Sequence, residues 1–178
     1  MENILDRLKV YISANEIKSK VIELGKTITE EYQGSEITVV GVLKGSVIFL
    51  ADLIREIKLP LMMDFLEVSS YGKEYQSSGV VKIVKDLTHS IENQNVLIVE
   101  DIIDSGLTMD YLVANLRTRR PKDIKICSLL FKPSNLSVNL KVDYLGFTIE
   151  NRFVIGYGLD YQGGYRNLEY IGYLEEAL

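Results

Sequence analysis

Three carboxylates, Glu100, Asp101 and Asp104, stand within five residues directly after the apolar run Val96-Leu97-Ile98-Val99, and Ser105-Gly106-Leu107-Thr108 follows them. The apolar run reads as a buried strand, Asn95 to Val99, and the residues from about Thr108 to Arg117 as a helix. A turn between them, with glycine at 106, aims backbone N–H groups and the positive end of the helix dipole at one point, which suits a phosphate. Ser105 and Thr108 add hydroxyl donors. Carboxylates repel phosphate, so Glu100 and Asp101 call for a donor such as sugar hydroxyls or a hydrated Mg2+. Together these features describe a site for a phosphorylated sugar. Acids that only cap the next helix are the plainer reading, and it accounts for one acid better than for three.

The surrounding elements must hold this segment in place. Ser13 and Glu16 form a capping-box pattern, and Ile17, Val21, Leu24 and Ile28 recur at helical spacing, which predicts a helix from Ala14 to Tyr32. Ile37 to Val42 reads as a strand, Leu43-Lys44-Gly45-Ser46 as a loop, and Val47 to Ile57 as a second helix. Leu61 to Ser70 and Val80 to Val84 read as strands around a polar segment, Ser69 to Gly79. Ile124 to Phe131, Val142 to Thr148 and Phe153 to Ile155 supply further strands. Alternating strands and helices predict a mostly parallel sheet covered on both faces. Such sheets carry ligands beyond the carboxyl ends of their strands.

Composition narrows the classes of function. The chain has 178 residues, 47% hydrophobic and 25% charged, and a formal net charge of −5. An acidic balance argues against duty on nucleic acid or anionic membrane. The lone Cys127 lies in an apolar strand and reads as a core residue. No signal-like segment opens the chain and no apolar run is long enough to span a bilayer, so the expected setting is cytoplasmic. Neither the P-loop nor the dinucleotide-binding glycine pattern occurs, which weakens kinase and dehydrogenase readings. His89 and Asp86 read as solvated surface residues.

The segment Val96 to Thr108 resembles the 5-phosphoribosyl-1-pyrophosphate (PRPP) motif of type I phosphoribosyltransferases. Its Val-Glu-Asp-Ile-Ile-Asp-Ser-Gly variant is similar to that of the hypoxanthine (hypoxanthine-guanine) phosphoribosyltransferases. The resemblance extends to Val42-Leu43-Lys44-Gly45-Ser46, Val68-Ser69-Ser70-Tyr71-Gly72, Leu130-Phe131-Lys132-Pro133, Arg152 to Tyr161 and Tyr165-Arg166-Asn167-Leu168. It implies an α/β fold of the type I phosphoribosyltransferase kind, a mostly parallel sheet flanked by helices with a small hood. One domain would span 1–178, with the core sheet over about 35–131 and the hood built from the N-terminal segment and the residues after about Lys132.

The resemblance also implies roles. Asp104, Ser105, Gly106, Leu107 and Thr108 would bind the 5′-phosphate, and Asp104 would serve as acid/base toward the purine's N7. Glu100 and Asp101 would address ribose hydroxyls and Mg2+, with Asp160 as a second metal-side carboxylate near the base. Lys44, Gly45 and Arg166 would bind pyrophosphate, in a loop whose peptide before Lys44 is often cis. Lys132 would donate to a 6-oxo group, Phe153 would stack on the base, and the Val154 backbone would read its edge. Ser70 and Tyr71 would belong to a closing lid. Leu107 stands where some relatives carry Lys, and Ser134 to Leu140 is less charged than in close bacterial relatives.

The implied activity is purine salvage: PRPP and hypoxanthine, and guanine too, give IMP or GMP and pyrophosphate. The implied assembly is a homodimer or homotetramer. A xanthine- or guanine-preferring enzyme and a PRPP-sensing nucleic-acid-binding regulator stand as alternatives.

Overall fold

The structure, a computed structural model, describes residues 4–70 and 81–174. Its elements run α1 (Ile4–Arg7), β1 (Leu8–Ile12), α2 (Ala14–Glu31), β2 (Ile37–Leu43), α3 (Val47–Glu56), β3 (Leu61–Ser70) and β4 (Val81–Lys85). They continue with β5 (Asn95–Ile103), α4 (Leu107–Arg117), β6 (Asp123–Phe131), a 3-10 turn (Pro133–Asn135), β7 (Tyr144–Thr148), β8 (Val154–Ile155) and β9 (Ile171–Leu174).

Six strands form one sheet in the order β4-β3-β2-β5-β6-β7. All neighbours in it are parallel except β3 and β4. The expected core of 35–131 thus takes one more strand, β7, beyond Phe131. The central strands are buried on both faces: every residue of β2 from Ile37 to Val42 is buried, as a parallel sheet covered by helices requires. One core lies under α2 and α3, where Ile17, Leu24, Ile28, Phe49 and Leu53 meet Val39, Leu97 and Leu129. The other lies under α4, where Met109, Leu112 and Leu116 meet Val40, Ile98 and Ile126. Cys127 is fully buried in the first.

Helix α2 starts as its sequence predicts. Ser13 accepts from the Glu16 amide and Glu16 Oε2 accepts from the Ser13 amide at 2.9 Å, closing the capping box.

A second, three-stranded antiparallel sheet, β1-β9-β8, joins the N-terminal strand to the last two strands. Neither β1 nor β9 announces itself in the sequence, because each is a short strand whose partner lies at the other end of the chain. Among the described residues no helix is long and apolar enough to cross a membrane.

The chain leaves β2 for β3 on one side and returns with β5 on the other. The order in which strands are added therefore reverses between the parallel neighbours β2 and β5, where the loops beyond their carboxyl ends diverge to leave a crevice.

Candidate active site

Strand β5 extends further than the apolar run predicts. It continues to Ile103, with Glu100 opposite Ser128 and Ile103 opposite Phe131. Glu100 and Asp101 therefore sit on the strand rather than in the turn, because Ile102 and Ile103 resume the β-branched pattern and keep pairing with β6. Asp101 is 8% exposed and its Oδ1 accepts from the Ile102 amide at 3.0 Å. Burial, and then the neighbouring Asp101 carboxylate, push Glu100 well above the usual carboxylate range.

The turn itself is Asp104-Ser105-Gly106. Gly106 has φ +79° and, as the N-cap of α4, offers no side chain of its own, while the Ser105 hydroxyl accepts from the Leu107 amide at 3.4 Å. A Cβ on Gly106 would lie 2.8 Å from Leu136 and 2.9 Å from Val138, because residues 136–138 fold over the turn and the Ser137 amide donates to the Ser105 carbonyl at 2.9 Å. This packing explains the low charge of Ser134 to Leu140: Leu136 and Leu140 serve the core under α4. A concavity of about 120 Å³ remains, lined by Glu100, Asp104, Ser105, Gly106 and Thr108 among others. Its size and its donors suit one phosphate group. Leu107 is the first residue of α4 and brings only its backbone amide to the turn.

A second cluster forms where β2 ends. The Leu43–Lys44 peptide is cis, Lys44 is exposed, and buried Ser46 donates to the Val42 carbonyl at 2.6 Å. Gly45 lies against Asp101, since a Cβ there would fall 1.7 Å from Asp101 Oδ2. Gly158, with φ +99°, touches it from the other side, its own would-be Cβ only 2.1 Å from the Gly45 carbonyl oxygen. Arg166 completes this corner, donating to the Gly158 carbonyl at 2.5 Å and pairing with Asp160 Oδ1 at 2.7 Å. Asp160 Oδ2 accepts from the Gly163 amide at 2.9 Å. Tyr157 donates to Asp52 at 2.7 Å and so moors the 156–160 loop to α3.

The third cluster follows β6. Lys132 is buried, and its Nζ lies 3.0 Å from Asp104 Oδ2. Asn135 Nδ2 donates to Asp104 Oδ1 at 2.7 Å. Phe153 is 60% exposed and edge-on to Tyr161, with centroids 6.1 Å apart. Val154 beside it is buried. Exposed Phe153 offers a flat platform, and the buried Lys132 ammonium with its half-exposed Asp104 partner offers polar groups.

The fold thus gathers Lys44, Gly45, Asp101, Asp160 and Arg166 on one flank and Asp104, Lys132 and Phe153 on another. Among the described residues no three His, Cys, Asp or Glu side chains are placed to hold a metal together. Glu100, Asp101 and Asp160 are therefore not one ligand set, and Asp160 spends both oxygens on Arg166 and Gly163. The adjacent carboxyl groups of Glu100 and Asp101 still fit a cation that takes few protein ligands. Ser70 ends β3 and Tyr71 lies outside the described residues.

Asn135, Asn151 and Asp64 gave no sequence signal, since a lone amide or acid in a loop looks solvated until tertiary contacts form. Asp86 is exposed, as expected, and also pairs with Arg119 at 2.8 Å. His89 is exposed, as its polar turn predicts, and its backbone amide donates to Asp64.

Comparison with known proteins agrees with this geometry. The phosphoribosyl transferase domain family matches residues 12–162. The hypoxanthine-guanine phosphoribosyltransferase of Bacillus subtilis is 54% identical over 96% of this chain and 94% of its own. That of Mycobacterium tuberculosis is 45% identical over 96% and 87%. The crystal structure of a hypoxanthine phosphoribosyltransferase from Staphylococcus aureus superposes with a TM-score of 0.93 at 42% identity, covering 98% of this chain and 96% of that one. With three clusters at the carboxyl edge of a shared fold, and near full-length identity of this order, the chain belongs to the phosphoribosyltransferase family, in its hypoxanthine-guanine branch.

Proposed function

We propose that this chain transfers the 5-phosphoribosyl group of PRPP to N9 of hypoxanthine, and of guanine, giving IMP or GMP and pyrophosphate. The observation that carries the reading is the Lys132–Asp104 pair, 3.0 Å between charged atoms, at the turn that opens α4. It supports a cationic donor and a proton acceptor at the phosphate turn, with exposed Phe153 as the stacking face.

In this reading the 5′-phosphate sits in the turn from Asp104 to Thr108, held by backbone amides and the Ser105 and Thr108 hydroxyls. Glu100 and Asp101 accept from the ribose hydroxyls. Lys44, the Gly45 backbone and Arg166 hold pyrophosphate, and the Arg guanidinium suits its paired oxygens. The purine lies on Phe153, with the Val154 backbone at its edge and Asp160 close by.

Lys132 donates to the 6-oxo group. An adenine amino group in that place would face a donor with a donor and leave both unpaired. As N9 approaches C1′, the N9–C1′ bond forms and the bond from C1′ to the pyrophosphate oxygen breaks, its electron pair leaving with pyrophosphate. Asp104 takes the N7 proton, so no positive charge accumulates on the base. Arg166 and Lys44 stabilise the charge that develops on the leaving group.

Glu100 and Asp101 would hold Mg2+, which would supply charge neutralisation for pyrophosphate. A lid at Ser70 and Tyr71, a cytoplasmic setting and a homodimer or homotetramer belong to the same reading and rest on family membership. So does a small-molecule rather than a nucleic-acid partner, which the net charge of −5 also favours.

The test is pyrophosphate release from PRPP with each purine, with and without Mg2+. Hypoxanthine and guanine should react, and only with the metal present. Faster turnover of adenine would overturn the assignment of Lys132, and a preference for xanthine would move the chain to a different substrate.

A further inference from the structure

Both oxygens of Asp104 are engaged before any substrate arrives, and by donors of different kinds. Oδ2 faces the Lys132 ammonium at 3.0 Å, whereas Oδ1 accepts from Asn135 Nδ2 at 2.7 Å. A carboxylate only accepts, so the amide nitrogen of Asn135 must face it. The second proton of that nitrogen goes to Asn151 Oδ1 at 2.8 Å, and the Asn135 oxygen accepts from Ser134 Oγ at 3.3 Å. The orientation of the Asn135 amide is therefore fixed by three hydrogen bonds.

We infer that Asn135 is a positioning residue for the reaction: it clamps Oδ1 of Asp104 so that Oδ2 stays aimed at the purine's N7. This rests on the proposed roles of Asp104 and Lys132. When the base enters, Lys132 turns to the 6-oxo group and Oδ2 loses its partner. Asp104 is half exposed, with 48% of its side chain accessible, so packing alone does not hold its carboxylate plane. Asn135 is the donor that remains. Through Asn151 the same amide reaches the segment that carries Phe153, two residues further on, so one side chain sets the proton acceptor and the stacking platform in common register. A neutral donor suits this place, because a second cation on Asp104 would hold its electron pair and weaken it as a base.

The experiment is a double-mutant cycle on the full chain, reading kcat, the KM of each substrate and the melting temperature. Asn135→Ala should lower kcat about tenfold, as expected for losing a hydrogen bond to a charged group, with the KM for PRPP and the melting temperature nearly unchanged. Asn135→Asp, of the same size but without a donor, should lower it further, and Asn135→Gln should restore part of the loss. In an Asp104→Asn background, where kcat is already low, Asn135→Ala should add less than twofold, because the group it orients is no longer a base. Equal effects in both backgrounds, tolerance of Asn135→Asp, or a kcat unchanged by Asn135→Ala would each overturn the inference. Wild-type protein that releases no pyrophosphate from PRPP and hypoxanthine would bring down the parent reading and this one together; an active wild type leaves the cycle to judge Asn135 alone.

Discussion

The Lys132 ammonium and the Asp104 carboxylate meet at 3.0 Å although only 8% of the lysine side chain is exposed. Burying an ammonium without a partner is costly, and the carboxylate next to it offsets that cost. In the proposed reading a 6-oxo oxygen would take the same place.

Lys132→Gln keeps a donor but loses the charge. It should reduce kcat/KM for hypoxanthine roughly 10- to 100-fold, the scale of a hydrogen bond made by a charged group. Adenine should lose much less, so the ratio of kcat/KM for the two bases is the number to measure. An unchanged ratio would detach Lys132 from base choice.

Gly158 and Gly45 touch backbone to backbone, the added Cβ of Gly158 falling 2.1 Å from the Gly45 carbonyl oxygen at a φ of +99°. Gly158→Ala should destabilise the protein by about 2 kcal/mol through overpacking, which corresponds to about 4–8 °C in melting temperature for a chain of this length. Because the pushed loop also carries Lys44, the KM for PRPP should rise more than that for the purine. Thermal melts and steady-state kinetics check the two halves separately.

Asp64 is buried on β3. Burial pushes its carboxyl up, but donors from the amides of Phe65, Thr88 and His89 and the Thr88 hydroxyl prevail and hold it below the usual range. A folded-state value below the unfolded one gives stability that is present above the ordinary aspartate value of 3.8 and is lost as pH falls through the folded value. Asp64→Asn should cost about 2 kcal/mol at neutral pH, and the gap between variant and wild type should close in acid. Melting temperatures of both proteins across that range decide it.

Much of the fold was legible because the core elements announce themselves. The capping pair Ser13 and Glu16, the helical spacing of Ile17 to Ile28 and the β-branched run Ile37 to Val42 each follow from local physics. The strand β5 was cut short at Val99 because a charged residue normally ends an apolar run, and only pairing with Ser128 to Phe131 carries Glu100 and Asp101 into the ladder. The strands β1 and β9 could not be read, since they pair with each other from opposite ends of the chain. At the site, the motif residues stood out by type and spacing, whereas Asn135, Asn151 and Asp64 act through contacts that no spacing encodes. The ion pair of Asp86 escaped for the same reason, its partner Arg119 lying beyond the end of α4.

The placement of Glu100 and Asp101 on β5 has a kinetic corollary. Side chains on a loop would have to be gathered anew in every catalytic cycle, at an entropic cost each time, whereas those rooted in a hydrogen-bonded strand were gathered once, when the chain folded. The closeness of Glu100 to Asp101, which with burial keeps the Glu100 carboxyl well above the usual range, is then a permanent property of the folded chain. In the proposed reading an incoming cation or sugar would meet both groups already in place.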